Sequence, residues 1–477
     1  MKKGFWLNLS LMVLGLAALG QDSTKVVKLS LKEAVEIALK NNLEVQQAGL
    51  DAQTAKVNFN QAKANLLPNL IGDVSHGSNQ GRSIDPFTNS YIDQSVNTAS
   101  YNLQSGVILF NGFALLNNIK SNSLRYSAAQ KELQQAKDNL MINVILTYLQ
   151  ILNGQDQLAQ SINQATVTRQ QVERLAIMDS MGAVAPGTFY DLKGRLAGDE
   201  VSAINAKNAL ETQKVTLAQL MNMPYNPNLE VERLTADQMP VSYEGTIESI
   251  YNLAVENLGL VKATILRRES AAYNVKAQRG QYFPRISFGA GINTRFSSVA
   301  TTATKLNTVE VISNDYVNVG GTKYNVTGFS DNLRFDKIQY FDQIKNNYST
   351  GLSIGVNIPL LNSFQQRNQV ALAKIALKNA ALVEESTRIQ LKRLIEQAYV
   401  NMVTSKDRYQ AATRQADAFR ESFRTAEVRF NAGAITSADY LVAKNNLDAA
   451  NVGLIVATYD YILRTKVLDF YQAKPLF

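Results

Sequence analysis

Between Phe364 and Ala432 the chain contains no glycine and no proline, and apolar or small residues step along it by alternating fours and threes. The series runs Leu391, Ile395, Ala398, Met402, Ser405, Tyr409, Ala412, Ala416, Phe419, Phe423, Ala426 and Phe430. A mean spacing of about 3.5 residues keeps those side chains on one seam of a helix that supercoils with its neighbours. At a rise of about 1.5 Å per residue, such a helix would run on the order of 100 Å. No ordinary globular core is that deep.

The pattern occurs twice. A shift of 251 positions lands on Leu140, Val144, Thr147, Ile151, Gly154, Leu158, Ser161, Ala165, Thr168, Val172 and Leu175, with more polar substitutes. The flanks correspond as well: Leu109 to Phe113 with Leu360 to Phe364, and Gly182-Ala183-Val184 with Gly433-Ala434-Ile435. Gly112 and Gly182 are separated by the same seventy positions as Ser363 and Gly433, so one structural unit is used twice without insertions in its long helix.

An earlier helix is duplicated at a different offset. Ser30-Leu31-Lys32-Glu33 has the spacing of a capping box, and Ala34, Ile37, Ala38 and Leu43 follow on one helical face. This predicts a helix to about Leu66, stopped by Pro68 because the residue before a proline avoids the α region. Leu31, Ala38, Asn41 and Pro68 recur as Ile247, Ala254, Asn257 and Pro284. The 35 extra residues of the second copy fall between its proline and the next landmark, which predicts a much longer loop there.

Between these landmarks the period changes to two. Ile286, Phe288, Ala290, Ile292 and Phe296 alternate with small or polar residues, as do Tyr348, Thr350, Leu352, Ile354, Val356 and Ile358. In the first copy Ala99, Tyr101, Leu103, Val107 and Leu109 repeat the pattern clearly, and Leu70 to Ser78 weakly. Each run has the length and two-faced character of a tilted strand crossing a bilayer. A lone run of this kind reads better as a soluble hairpin, but four in matched places on an exported chain point to membrane strands. Ile286, Phe288, Ile292, Leu352, Ile354 and Val356 are the candidate lipid-facing residues. Four strands cannot close a barrel, and open edges are not tolerated in lipid, so several chains must share one barrel. The connections, roughly 79 to 97 and 297 to 347, are polar and expected outside the cell.

The amino end carries Lys2-Lys3, an apolar run from Phe5 to Leu19, and small residues Ala18 and Gly20 before Gln21. Residues 1–20 therefore read as a secretory signal peptide. The expected organisation is a first repeat over 21–225 with strands about 69–78 and 98–110, and an inter-repeat linker over 226–245. A second repeat follows over 246–472, with strands about 285–296 and 348–360, and a tail over 473–477.

Formal net charge is +8, and about +6 without Lys2 and Lys3. The basic residues are interspersed with Asp, Glu, Gln and Asn, which describes a solvated helical face and not a nucleic-acid groove. Cysteine is absent and His76 is the one histidine, so a thiol nucleophile and a His/Cys zinc site are excluded. A Ser-His-Asp triad would have to use His76, which lies in an alternating, turn-rich run where a plain strand histidine is expected. No paired carboxylate cluster and no Gly-rich phosphate loop stands out. Neither an enzyme, a metal nor a cofactor is expected.

Together these residues resemble the TolC-like outer-membrane efflux proteins. The resemblance covers nearly all of the mature chain. It rests on Leu29 to Ala34 with Asn41-Asn42, on Leu67-Pro68 and Phe283-Pro284, and on the strand ends before Asn111-Gly112 and Asn362-Ser363. Arg429 to Gly433 followed by Asp439-Tyr440-Leu441 completes it. The resemblance implies a fold that is mainly α with a membrane β part. In it a duplicated helix-strand-strand-long helix-turn-helix unit forms a trimeric α-barrel, continued by a shared twelve-stranded β-barrel. It implies a passive outer-membrane channel subunit with a long periplasmic extension, serving efflux or type I secretion. The implied partners are two further copies, a periplasmic adaptor protein, an inner-membrane transporter and outer-membrane lipid. A periplasmic coiled-coil scaffold without a pore is the rival reading; it explains the helices but not the two-faced strands.

The resemblance also places a constriction at the helix reversals, far from the membrane. Gly182, Tyr190 and Asp191 belong to it from the first copy, and Phe430, Gly433 and Asp439 from the second. Thr188 stands in the first copy where Asp439 stands in the second. Asp439 admits two roles: an acidic ring in the trimer, or a helix-terminal acid beside a Ser437 cap.

Overall fold

This computed structural model describes residues 27–84, 89, 91–93, 95–181, 186–233 and 245–474. In chain order the elements begin β1 (Val27–Leu29), α1 (Leu31–Asn41), α2 (Leu43–Ala64), β2 (Asn69–Asn79), β3 (Arg82–Ile84) and β4 (Tyr91–Asp93). Then come β5 (Val96–Phe110), α3 (Ala114–Ser180), α4 (Pro186–Leu220), β6 (Leu229–Val231), α5 (Ile247–Asn257) and α6 (Gly259–Gly280). The chain continues through β7 (Arg285–Ser297), β8 (Thr301–Val319), β9 (Thr322–Lys337), α7 (Tyr340–Asn346), β10 (Ser349–Asn357), α8 (Gln365–Asn431) and α9 (Ser437–Tyr471). Helices recur at equal length: α1 and α5 have 11 residues, α2 and α6 have 22, α3 and α8 have 67, and α4 and α9 have 35.

The opening helix does not run unbroken to Leu66. It ends at Asn41, where Asn42 turns to extended backbone and its Oδ1 accepts from the Glu44 and Val45 amides, starting α2 afresh. The second copy breaks at the same place, at Leu258. There Gly259 is required, since a Cβ would stand 2.5 Å from Lys131 O.

Two compact units partition the chain. The first, Met1–Thr54, Ser127–Leu266 and Leu382–Phe477, is helical in its described part apart from the pair β1 and β6. All twelve seam residues of α8 between Leu391 and Phe430 are buried or half-buried. One core cluster joins Ala34 and Ala38 of α1 to Leu140, Val144, Tyr148 and Ile151 of α3 and Leu217 of α4. Another joins Ile250 and Ala254 of α5 to Leu391, Ile395 and Met402 of α8 and Leu468 of α9.

Of the expected linker 226–245, residues 234–244 lie outside the described residues. In its described part β6 pairs parallel with β1, Val27 opposite Leu229, and the buried Tyr148 hydroxyl lies 2.9 Å from Leu29 O and 2.8 Å from Glu232 O. Burial pushes that hydroxyl's pKa upward.

The second unit, Ala55–Tyr126 and Arg267–Ala381, holds a four-stranded antiparallel sheet in the order β10-β7-β5-β2. At the entry to α3, Gly112 has φ +64, and a Cβ there would collide with Gly280 O. The span expected as a long polar loop is instead a hairpin, β8 with β9, followed by the short helix α7. Gln343 of α7 is buried and clasps the end of β7: its Oε1 accepts from Ser297 N at 2.9 Å, and its Nε2 donates to Ser297 O at 3.0 Å. His76 is an exposed residue of β2 opposite Ala99.

Candidate functional site

Register assigns every residue of the four-stranded sheet to one of two faces, because directly opposed residues share a side. Val356, Ile354 and Leu352 of β10 oppose Ile286, Phe288 and Ala290 of β7. Phe288 opposes Val107 of β5, and Ile292 opposes Leu103. Leu103 and Tyr101 oppose Gly72 and Val74 of β2. This face carries no Asp, Glu, Lys or Arg.

The other face is mainly small and polar, with Ile71, Val96 and Ile108 as its larger apolar members. Ser353 opposes Gly289, which opposes Gly106; Gly355 opposes Ser287; Gly351 opposes Gly291, which opposes Gln104. A Cβ on Gly289 would meet Ser353 Oγ at 3.0 Å, so even alanine crowds this lane. All three fully charged residues of the four strands, Asp73, Arg285 and Arg295, are on this side. Charge divides cleanly along this plane, and hydropathy mainly so.

The candidate lipid-facing residues thus lie together on the charge-free face. Leu352, Ile354 and Val356 are 78%, 69% and 59% exposed; Ile292 is exposed, while Ile286 and Phe288 are half-buried. Among the described residues, both outer strands, β2 and β10, have a free edge. No described helix is long and apolar enough to cross a membrane.

The second helix reversal is built by local hydrogen bonding. Gly433 takes φ +71, its amide donates to Phe430 O, and the Ala434 amide donates to Arg429 O at 2.8 Å, closing the end of α8 in a glycine-dependent C-cap. Thr436, and not Ser437, caps α9: its Oγ1 accepts from Asp439 N, while Asp439 Oδ2 accepts from Thr436 N and Oγ1. Those bonds from the Thr436 side chain and backbone hold the exposed Asp439 carboxyl below the usual aspartate range.

Beside it Tyr440 is buried, stacked on Phe430 with ring centroids 4.6 Å apart and flanked by Phe423 at 5.6 Å. Burial pushes its hydroxyl up to about 12, and that hydroxyl has no partner among the described residues. Phe430 is therefore half-buried packing on Tyr440, which the sequence motif contained but gave no packing role. Arg174 Nη1, near the end of α3, donates to Asn431 Oδ1 at 2.7 Å and ties the two long helices together there.

Gly182 lies outside the described residues. Tyr190 is exposed in edge contact with Phe189, and Asp191 is exposed on α4. A cluster that sequence reasoning missed joins α3, α4 and α9: Lys444 bonds Asp448 at 2.7 Å, Arg195 reaches Asp199 at 2.9 Å and Asp448 at 3.7 Å, and Thr168 donates to Asp199 at 2.6 Å. Each charge there looks like a solvated helical residue when read alone. Among the described residues no group of acidic or histidine side chains could hold a metal.

Paired long helices, a sheet with one charge-free face, and two open strand edges define a class of outer-membrane channel subunits. The family model for outer membrane efflux proteins matches residues 34–223 and 250–469, and the chain belongs to that family. It is 23% identical over 470 residues to outer membrane protein TolC of Vibrio cholerae, covering 96% of this chain and 93% of that one. An uncharacterized Haemophilus influenzae protein is 26% identical over 273 residues, which are 57% of this chain and 58% of that protein. The crystal structure of the outer membrane protein VceC from Vibrio cholerae superposes with a TM-score of 0.73 at 15% identity, covering 94% of this chain and 97% of that one. Members of the family are passive outer-membrane channels, not enzymes, with a helical barrel and a β domain.

Proposed function

We propose that the chain is one protomer of a homotrimeric outer-membrane channel, giving four strands to a shared twelve-stranded barrel and passively conducting substrate to the exterior. Members of the family form homotrimers and work with periplasmic adaptor proteins and inner-membrane transporters. The observation that carries the reading is the sheet. A charge-free apolar face suits lipid, a small and polar face suits a water-filled lumen, and the free edges of β2 and β10 can pair only with other copies. In this reading Ile286, Phe288, Ile292, Leu352, Ile354 and Val356 meet lipid. The residues Gly182, Tyr190, Asp191, Phe430, Gly433 and Asp439 form the periplasmic constriction.

The division into two repeats, 21–225 and 246–472, with a signal peptide over 1–20, is part of the same reading. The equal helix lengths and the two matched segments support it. Mass measurement of the detergent-extracted complex, followed by single-channel recording in a planar bilayer, tests the assignment. The expected result is a mass of three chains and a stepwise current. A stable monomer, or a trimer that passes no current, defeats it and leaves the scaffold reading.

A further inference from the structure

Where β7 begins, Arg285 stands at the edge of two cavities that contain no carboxylate. One, of about 470 Å³, has Asn111, Asn118, Asn274, Gln278, Gln281 and Gln366 in its lining, beside apolar residues such as Leu115 and Phe283. The other, of about 700 Å³, has Gln61, Asn65 and Asn69 in its lining, together with Ser287 and Ser353 of the sheet. Arg285 is the single charged residue of both linings. No hydrogen bond or ion pair with a described residue reaches its guanidinium, although such groups normally find a carboxylate. In the first cavity the Gln366 Oε1 atom is also buried without a partner.

Arg285 opposes Asn357 on the small, polar face of the sheet, the face that turns to the lumen if the channel reading holds. Resting on that reading, we propose that Arg285 and its surrounding amides form a selectivity site for anionic groups, carboxylate or phosphate, on the solutes that pass. A guanidinium binds such groups through paired N–H donors, and neutral amides add hydrogen bonds without competing charge. Trimer symmetry triples the site, so three positive charges face one passage. Asp73, the one carboxylate among the four strands, is four residues into β2 and lines neither cavity.

The test is single-channel recording of the trimer in a neutral phosphatidylcholine bilayer, with citrate added to the side that receives the periplasmic end. Citrate should block the wild-type current, and Arg285→Gln should weaken that block by about tenfold. In a potassium chloride gradient the same variant should shift the reversal potential towards cation preference, and Arg285→Lys should fall between. Arg285→Gln must first be shown to keep the trimer mass. Equal block in wild type and variant overturns the proposal while leaving the channel intact. Absence of current in the wild type overturns the channel reading and the proposal with it. The phosphate could instead belong to a lipid headgroup: if Arg285→Gln lowers the phospholipid phosphorus that co-purifies with the trimer but leaves citrate block unchanged, the solute assignment is wrong.

Discussion

The helices α3 and α8 have the same 67 residues and the same seam, yet they leave different surfaces uncovered. On α3 three large apolar side chains are exposed: Leu116, Ile162 and Ile177. On α8 there are nine: Leu372, Ile375, Leu382, Val383, Ile389, Leu394, Val400, Val403 and Val428. The middle of α3 is enclosed, with Leu140, Ile142, Val144, Ile145, Tyr148, Leu149, Ile151 and Leu152 all buried. The corresponding stretch of α8 buries one stripe, Leu391, Ile395, Ala398 and Met402. Ile375, Leu382 and Ile389 recur every seventh position on the open side, which makes a second seam. Equal length and equal period thus do not imply equal surroundings: the second long helix exposes an apolar face that no described residue of the chain covers.

The largest expected effect comes from breaking that second seam. Leu382→Glu with Ile389→Glu should dissociate the trimer, since each side chain contributes about 1.5–3 kcal/mol on burial and the loss is felt in three copies. Native mass measurement reads this, and far-ultraviolet ellipticity should show the helices retained. Ile162→Glu, on the exposed side of α3, is the counterpart and should leave the trimer whole. Two intact trimers would mean that the excess on α8 has no part in assembly.

A smaller effect tests the sheet strand that leads into α8. Ile354→Arg should cost about 2–4 kcal/mol at mid-membrane depth, and Ser353→Arg far less. Denaturant unfolding from lipid vesicles measures both, and similar costs at the two positions would refute the facing derived from register.

The smallest effect concerns the reversals. Thr436→Ala should cost about 1 kcal/mol through loss of the α9 cap. Asp439 is held below its ordinary pKa in the folded state, so its contribution is present above the unfolded carboxylate range and is lost as pH falls through the lowered folded value. Protection of the amides around Gly433 to Leu441, taken relative to the intrinsic exchange rate at each pH, should therefore fall as pH drops below about 4, and Asp439→Asn should abolish that dependence. The first reversal has Thr188 in place of the acid and should show no such step. If Asp439→Ala lowers stability with unaltered selectivity, the acid serves only the cap that it forms with Thr436; a fall in cation preference would add a ring in the pore to that role.

The long helices and the four two-faced strands were legible because each repeats one period for many residues between clear stops. The hairpin of β8 and β9 was not, for a geometric reason. Register shifts between Lys305 and Asn307 and between Ile312 and Tyr316 move apolar residues from one face to the other, so alternation never persists. Strands β1 and β6 are three residues each, too short for any period to show. The break after Asn41 rests on one side chain bonding its own backbone, which periodicity cannot register. At the second reversal the three-residue spacing of Thr436 and Asp439 held the true cap, while Ser437 drew attention by standing nearer the periodic run. The charged cluster around Asp448 exists only through tertiary contact.

The parallel pair of β1 with β6 has a temporal meaning. The ribosome makes β1 some two hundred residues before its partner, and a chain exported amino end first delivers it to the periplasm in the same order. For that interval Val27 to Leu29 has no ladder to join, and Leu29 has no core to enter. Closing so large a loop is slow, because its entropy must be lost before any contact offsets it. The start of the chain is thus among the last parts to be secured. The Tyr148 hydroxyl, which touches both Leu29 and Glu232, can find both its acceptors only once that late closure is complete.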